Sequence, residues 1–241
     1  MLSTPNYFFG YDPVKGEYKV LAIDNIPARS EHKVVVLGGE EEAWTSASWR
    51  ACPHFAYTMG LCMNGNLYYG ASRMDIDPPN NSIIVSFNLT LETFNIIKVP
   101  TNVLPLAYDN MWAAKPYRLT DKILINYRGK IGVVETPREG SFRVWVVEDA
   151  KKEVWSMNTY HLPQSAAGLD FKVMETFYNG EICLVSKRLY GPFCLFYYNL
   201  KTKCMRSDII EGRQISELKR VDRGISVTVS DHYENFMFLD T

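Results

Sequence analysis

Long apolar runs are what this sequence most lacks. Stretches such as Val34–Leu37 and Ile182–Val185 fall far short of the ~20 residues a membrane-spanning helix requires. No basic opening followed by an apolar segment marks a secretory leader. An excess of one charge is missing too, with 26 Lys and Arg against 27 Asp and Glu. That balance removes the electrostatic case for a nucleic-acid or membrane-surface binder, so neither partner is expected. Cysteine is scarce: Cys52, Cys62, Cys183, Cys194 and Cys204 are odd in number and form no CxxC pair. Reduced, mostly buried thiols in a cytoplasmic or nuclear protein are expected, and not a disulfide framework. The sequons at Asn80 and Asn88 then carry no glycan, because glycosylation needs the secretory route.

Sustained helical periodicity is also absent; Glu211–Lys219 could form a short turn of helix at most. What is present is strand. Tyr18–Ile23, Lys33–Leu37, Leu67–Ala71, Ser82–Phe87, Phe142–Val147, Ile182–Lys187 and Phe193–Tyr198 are rich in β-branched and aromatic residues. The alternation Ile83, Val85, Phe87 is the period of one buried sheet face. The chain reads as all-β.

A repeat becomes visible when turns are aligned on Asp12, Asn88, Asp149 and Asn199. Each follows an apolar strand, with Phe9, Val85, Val146 and Phe196 three positions earlier. Each precedes a large apolar residue by six positions: Tyr18, Phe94, Trp155 and Met205. An Asp or Asn side chain accepts a backbone amide two residues on and so starts a hairpin turn, and the returning strand lays a bulky side chain against the outgoing one. Tyr18, Phe94 and Trp155 are therefore expected to be substantially buried. A second turn, Asn64-Gly65, Arg128-Gly129 or Asn179-Gly180, precedes three of the four anchors. Two hairpins make a four-stranded unit, the blade of a kelch-like β-propeller. Successive anchors lie 76, 61 and 50 positions apart, so the array is irregular, and a β-sandwich is the alternative. The first hairpin, Phe8–Ile23, has no glycine-turn partner before it. A propeller needs its ends joined, so the segment Ile225–Phe238 is expected beside that hairpin in one sheet. No low-complexity linker divides the chain.

Catalytic chemistry has few candidates. His32, His54, His161 and His232 are far apart and lack ligand spacing; they are expected on the surface or at strand ends and not on a metal. No phosphate-binding glycine loop and no GxSxG elbow occurs. Asp75-Ile76-Asp77 lacks the remaining ligands of a calcium loop. The acidic run Glu40-Glu41-Glu42, in the loop Gly38–Ser48, reads as a solvated face; a propeller-type glycan hydrolase using a carboxylate pair is the alternative function. Nothing beside Cys52 and His54 marks an activated thiol. No catalytic residue, metal or cofactor is expected, and the chain reads as a binding module and not an enzyme. Protein-binding surfaces favour Trp, Tyr and Arg, so the loop residues Trp44, Tyr108, Trp112 and Tyr190 are the candidate partner contacts.

The ordered stretches Tyr7-Phe8-Phe9-Gly10-Tyr11-Asp12-Pro13-Val14, Glu17–Leu21, His32–Gly38, Ser48-Trp49-Arg50 and Cys62–Ala71 have a familiar look. Ile84–Asn88 with Glu92-Thr93-Phe94, Asn126–Ile131, Phe142–Asp149 and His232–Asn235 follow in the same order. Together they resemble the plant F-box-associated domain over nearly the whole chain, residues 1–241. The resemblance implies a non-catalytic domain that holds an unknown substrate protein, while an amino-terminal helical F-box docks on a cullin-based ubiquitin ligase. This sequence begins almost at the domain's first strand, so the expectation is that the F-box, and ligase docking with it, is absent here.

Overall fold

The computed structural model describes residues 5–24, 32–38, 43–47, 53–77, 80–103, 122–166, 168–177, 180–186 and 193–210. These residues form strands, joined by turns, and one 3-10 turn at Gln164–Ala166. The first sheet takes β1 (Asn6–Asp12), β2 (Glu17–Ile23), β3 (His32–Leu37) and β4 (Thr45–Ala47) in sequence order. The second is built on β5 (His54–Ala56), β6 (Leu61–Met63), β7 (Asn66–Arg73), β8 (Ser82–Asn88) and β9 (Thr93–Lys98); β5 and β6 both pair with β7. The third takes β10 (Lys122–Tyr127), β11 (Lys130–Glu135), β12 (Ser141–Asp149) and β13 (Val154–His161). The fourth takes β14 (Phe171–Thr176), β15 (Glu181–Ser186), β16 (Phe193–Asn199) and β17 (Met205–Ile210). Four antiparallel sheets, each made from consecutive strands, match the propeller expectation. A sandwich would have two.

The chain falls into two compact units. One holds the first and second sheets, with the turn 148–154; the other holds the rest of the third sheet and the fourth. In the first unit the core joins Phe8, Leu21, Ile23 and Val34 to Leu67, Tyr69, Val85 and Phe87. Gly10 makes that approach possible, since a Cβ there would lie 2.9 Å from a Leu89 methyl. In the second unit Val144, Val146 and Tyr198 pack with Phe171, Ile182 and Leu184. There Phe142 stacks on Tyr160 at 5.4 Å, and the rings are pinned by the Tyr127 and Tyr160 hydroxyls at 2.8 Å and by Tyr198 donating to the His161 carbonyl at 3.1 Å.

All four anchors sit in hairpin turns. Asp12 Oδ1 accepts the amides of Val14 and Lys15 at 3.0 and 3.3 Å, and Asn88 Oδ1 accepts that of Leu91 at 2.7 Å. Asp149 Oδ1 accepts Lys151 and Lys152, and Asn199 Oδ1 accepts Lys201 and Thr202. Four positions after each anchor the backbone turns left-handed, at Gly16 (φ 70°), Glu92 (53°), Glu153 (57°) and Lys203 (59°). The glycine turns hold as well, with positive φ at Asn64 and Gly65, Arg128 and Gly129, and Gly180; the first two are two-residue hairpins, closed by the Met63–Asn66 and Tyr127–Lys130 pairs.

The phase of the repeat differs from the expectation in the first sheet. In the other three, the anchored turn joins the last two strands; in the first it joins β1 to β2, and β3 and β4 follow. The leading hairpin thus has its own sheet partner in β3. The expected neighbour at Ile225–Phe238 lies outside the described residues, as does Glu211–Lys219. Burial on the returning strands is also lower than expected, because Tyr18, Phe94 and Trp155 are half-buried. For Phe94 and Trp155 the reason is position: β9 and β13 end their sheets.

Candidate functional site

Turn tips on a rigid sheet are where a β scaffold usually meets a partner, because the sheet fixes the loop and the loop carries the contact. In the first unit two anchored turns lie side by side. Thr90, in the β8–β9 turn, donates its hydroxyl to Asp12 Oδ1, in the β1–β2 turn, at 2.7 Å. Lys19, the third residue of β2, is 1% exposed. Its ammonium donates to the Leu89 carbonyl at 2.7 Å and to Glu92 Oε1 at 2.8 Å, and lies 3.7 Å from Asp12 Oδ2. A third turn closes on the pair. The Leu89 amide donates to the Gly65 carbonyl at 2.9 Å, and a Cβ at Gly65 would come 3.0 Å from Pro13.

Burial acts on Asp12 by opposing its ionisation. The hydrogen bonds from Thr90, Lys15 and Val14 and the Lys19 charge outweigh it, and the carboxyl stays below the usual range. The pair is buried, and the bonds that cross to the second sheet run from Thr90 to Asp12 Oδ1 and from Lys19 to the Leu89 carbonyl and Glu92, so the turns are held as one piece. Their tips present apolar side chains: Val14 is 77% exposed and Leu91 71%. The anchored turns of the third and fourth sheets carry a different chemistry, Lys151 and Lys152 on one and Lys201 and Lys203 on the other.

Of the expected partner contacts, Trp44 is described. It is exposed just before β4, with its ring 6.4 Å from that of Tyr7. Tyr108, Trp112 and Tyr190 lie outside the described residues, as do Glu40, Glu41, Glu42 and Cys52. Trp44 belongs to a sheet face and not to the turn platform. That face carries Tyr7, Phe9 and Tyr11 from β1 and Tyr18 from β2, with Phe9 stacked on Tyr18 at 5.3 Å. Val14 and Leu91 were missed because an aliphatic residue in a turn carries no local signal. Only the inter-sheet bonds of Lys19 and Thr90 show that the two tips are adjacent.

Two residues expected to be far apart are neighbours. His32 and His54 open β3 and β5, as strand ends, but both are buried, with rings 5.3 Å apart. His54 Nε2 lies 3.0 Å from the Tyr69 hydroxyl. Sequence separation hid this, because β3 and β5 belong to different sheets that pack together. His161 is exposed at the end of β13, and His232 is outside the described residues. Among the described residues no cluster of three metal-ligating side chains occurs. Asp75 is held by the Arg73 guanidinium, which keeps its carboxyl below the usual range. None of the described cysteines is in a disulfide; Cys183 is buried and Cys194 half-buried, whereas Cys62 and Cys204 are exposed, against the expectation of mostly buried thiols. No described helix is long and apolar enough to cross a membrane.

Comparison with known proteins agrees with this architecture. The family described as the F-box associated beta propeller domain matches residues 3–240. A putative F-box protein of Arabidopsis thaliana is 48% identical over 237 residues, covering 98% of this chain and 57% of that protein. Two further Arabidopsis thaliana F-box proteins are 30% and 32% identical, over 98% and 95% of this chain and 57% and 61% of their own lengths. The chain therefore spans about three fifths of these relatives.

Proposed function

We propose a role in protein recognition on one premise: the chain belongs to the F-box-associated β-propeller family. It is a single non-catalytic binding domain that holds a substrate protein for a cullin-based ubiquitin ligase, the docking on the ligase being the task of an F-box. The observation that carries this reading is the pair of exposed apolar tips, Val14 and Leu91, on turns locked together by buried Lys19. Apolar side chains fixed in place lose little freedom on binding, which is the economy a hot spot depends on.

The test is capture of proteins from plant-cell extract on the purified full chain, followed by direct binding of each captured protein after separate purification. Support is at least one direct binder whose capture falls about tenfold or more with Val14→Asp and Leu91→Asp combined, the loss expected from two hot-spot residues. Direct binders all captured equally by parent and variant would remove the turn platform from the account. Ligase subunits binding this chain directly would overturn the assignment of docking to an F-box.

A further inference from the structure

The turn that closes on the platform carries a reactive pair. Glycine after asparagine leaves the next backbone nitrogen unshielded, so that nitrogen can attack the asparagine side-chain amide. Asn64-Gly65 is such a pair. Asn64 is exposed, and its side chain makes no hydrogen bond among the described residues. Asn88, Asn126 and Asn199 differ on both counts. Each is followed by a large side chain, and each commits its Oδ1 to a turn amide.

The fold works against the reaction. Ring closure needs the Gly65 nitrogen on the same side of the Asn64 Cα–C bond as Cβ, aligned with Cγ. The hairpin holds φ at 52° for Asn64 and 70° for Gly65. In a turn of this type the first ψ is about 30°, which sets that nitrogen nearly opposite Cβ. The peptide must swing round, and its neighbours resist. The Met63–Asn66 pair closes the hairpin. The Gly65 carbonyl accepts the Leu89 amide at 2.9 Å, and Gly65 packs on Pro13. Leu89 is held in turn through its own carbonyl by Lys19, at 2.7 Å. The buried ammonium that joins the two sheets thus also fixes the residue that pins Gly65.

We propose that Asn64 is a deamidation site gated by Lys19, reacting only when the joined turns part. The Gly65 nitrogen then gives up its proton to base and bonds to Asn64 Cγ. The Cγ–Nδ2 bond breaks, and Nδ2 takes up a proton and leaves as ammonia. Water opens the resulting cyclic imide at either carbonyl, leaving an aspartyl or an isoaspartyl residue at position 64. The isoaspartyl form adds an atom to the backbone of a two-residue turn, so the Gly65 carbonyl no longer meets the Leu89 amide and the opening becomes permanent. This chemistry stands whether or not the turns are the recognition platform proposed above.

The experiment uses the full chain, held in mildly alkaline buffer with and without urea. Deamidation at positions 64 and 179 is followed by peptide mass spectrometry; Asn179-Gly180, far from Lys19 in sequence, is the internal reference. Lys19→Met weakens the joint. Thr90→Val, which removes one bond between the turns, takes its place where Lys19→Met does not fold. The expected reaction at 64 in the folded parent is slower than in urea by about two orders of magnitude or more. In the folded variant it is expected to be about tenfold faster than in the folded parent, with position 179 unchanged. Equal rates at 64 with and without urea, or no reaction there in urea, would overturn the proposal. A folded variant that reacts no faster than the parent, or that speeds 64 and 179 equally, would overturn it as well.

Discussion

The Lys19 ammonium, on β2, donates to the Leu89 carbonyl in the neighbouring sheet at 2.7 Å. Seventy residues separate the two in sequence, so one side chain ties two independently formed hairpins into a unit. Replacing Lys19 with Met keeps most of the volume and removes the charge, leaving Asp12 buried without its cation. Breaking a buried pair in this way costs about 3–5 kcal/mol. Urea unfolding of Lys19→Met is expected to show that loss, and unchanged stability would mean the ion pair contributes nothing to the joint.

Asp12 sets the acid limb. Its folded carboxyl titrates below the ordinary value of about 3.9, despite burial, because Thr90, Lys15, Val14 and Lys19 stabilise the anion. A depressed folded value means the stabilisation is complete above the unfolded value and is lost as pH falls through the folded one. Below about pH 4 the parent is expected to lose stability more steeply than Asp12→Asn, which keeps the turn acceptor and does not titrate. Parallel acid limbs in pH-dependent melts would exclude Asp12 as a source.

The left-handed turn residues make opposite predictions. Lys203 holds φ 59° with a side chain, at a position where Gly16 serves in the first turn. A side chain in that region costs about 1–2 kcal/mol, offset in part by the chain entropy that glycine loses on folding. Lys203→Gly is expected to raise stability by up to about 1 kcal/mol and Gly16→Ala to lower it by about the same amount. Differential scanning calorimetry of both variants checks this; equal shifts of one sign would contradict it.

Trp155 is half-buried, and its indole Nε1 is buried without a hydrogen-bond partner. Trp155→Ala is therefore expected to cost less than the 3–5 kcal/mol of a fully buried aromatic. Trp155→Phe removes an unpaired donor, whose burial is costly, and is expected to lie within about 1 kcal/mol of the parent. A larger loss for Trp155→Phe would show that the indole makes a bond that matters.

The local chemistry of the fold was legible and its assembly was not. Asp12, Asn88, Asp149 and Asn199 announce their turns because an Asx side chain bonds its own backbone within three residues. The phase of the first sheet was not legible, since the pairing of β2 with β3 depends on register and not on any turn residue. Nothing local in the sequence signals the burial of Lys19, which follows from the Leu89 carbonyl and Glu92 brought to it by the second sheet. The His32–His54 contact and the Val14–Leu91 platform were hidden for the same reason. The first sheet's aromatic alternation was visible, but nothing local separates a packing face from a docking face.

The measurement closest to the central claim is the affinity of a purified partner for the full chain and two variants, by calorimetry, alongside each variant's melting temperature. Val14→Asp with Leu91→Asp alters exposed tips, whereas Phe9→Asp puts a charge on the aromatic face of the first sheet, where Phe9 stacks on Tyr18. The account predicts that the first variant loses about tenfold or more in affinity with an unchanged melt. Phe9→Asp should melt lower and, where still folded, bind as the parent does. Full affinity in the tip variant, or loss of affinity only with Phe9→Asp, would contradict the claim that the turn platform recognises the partner.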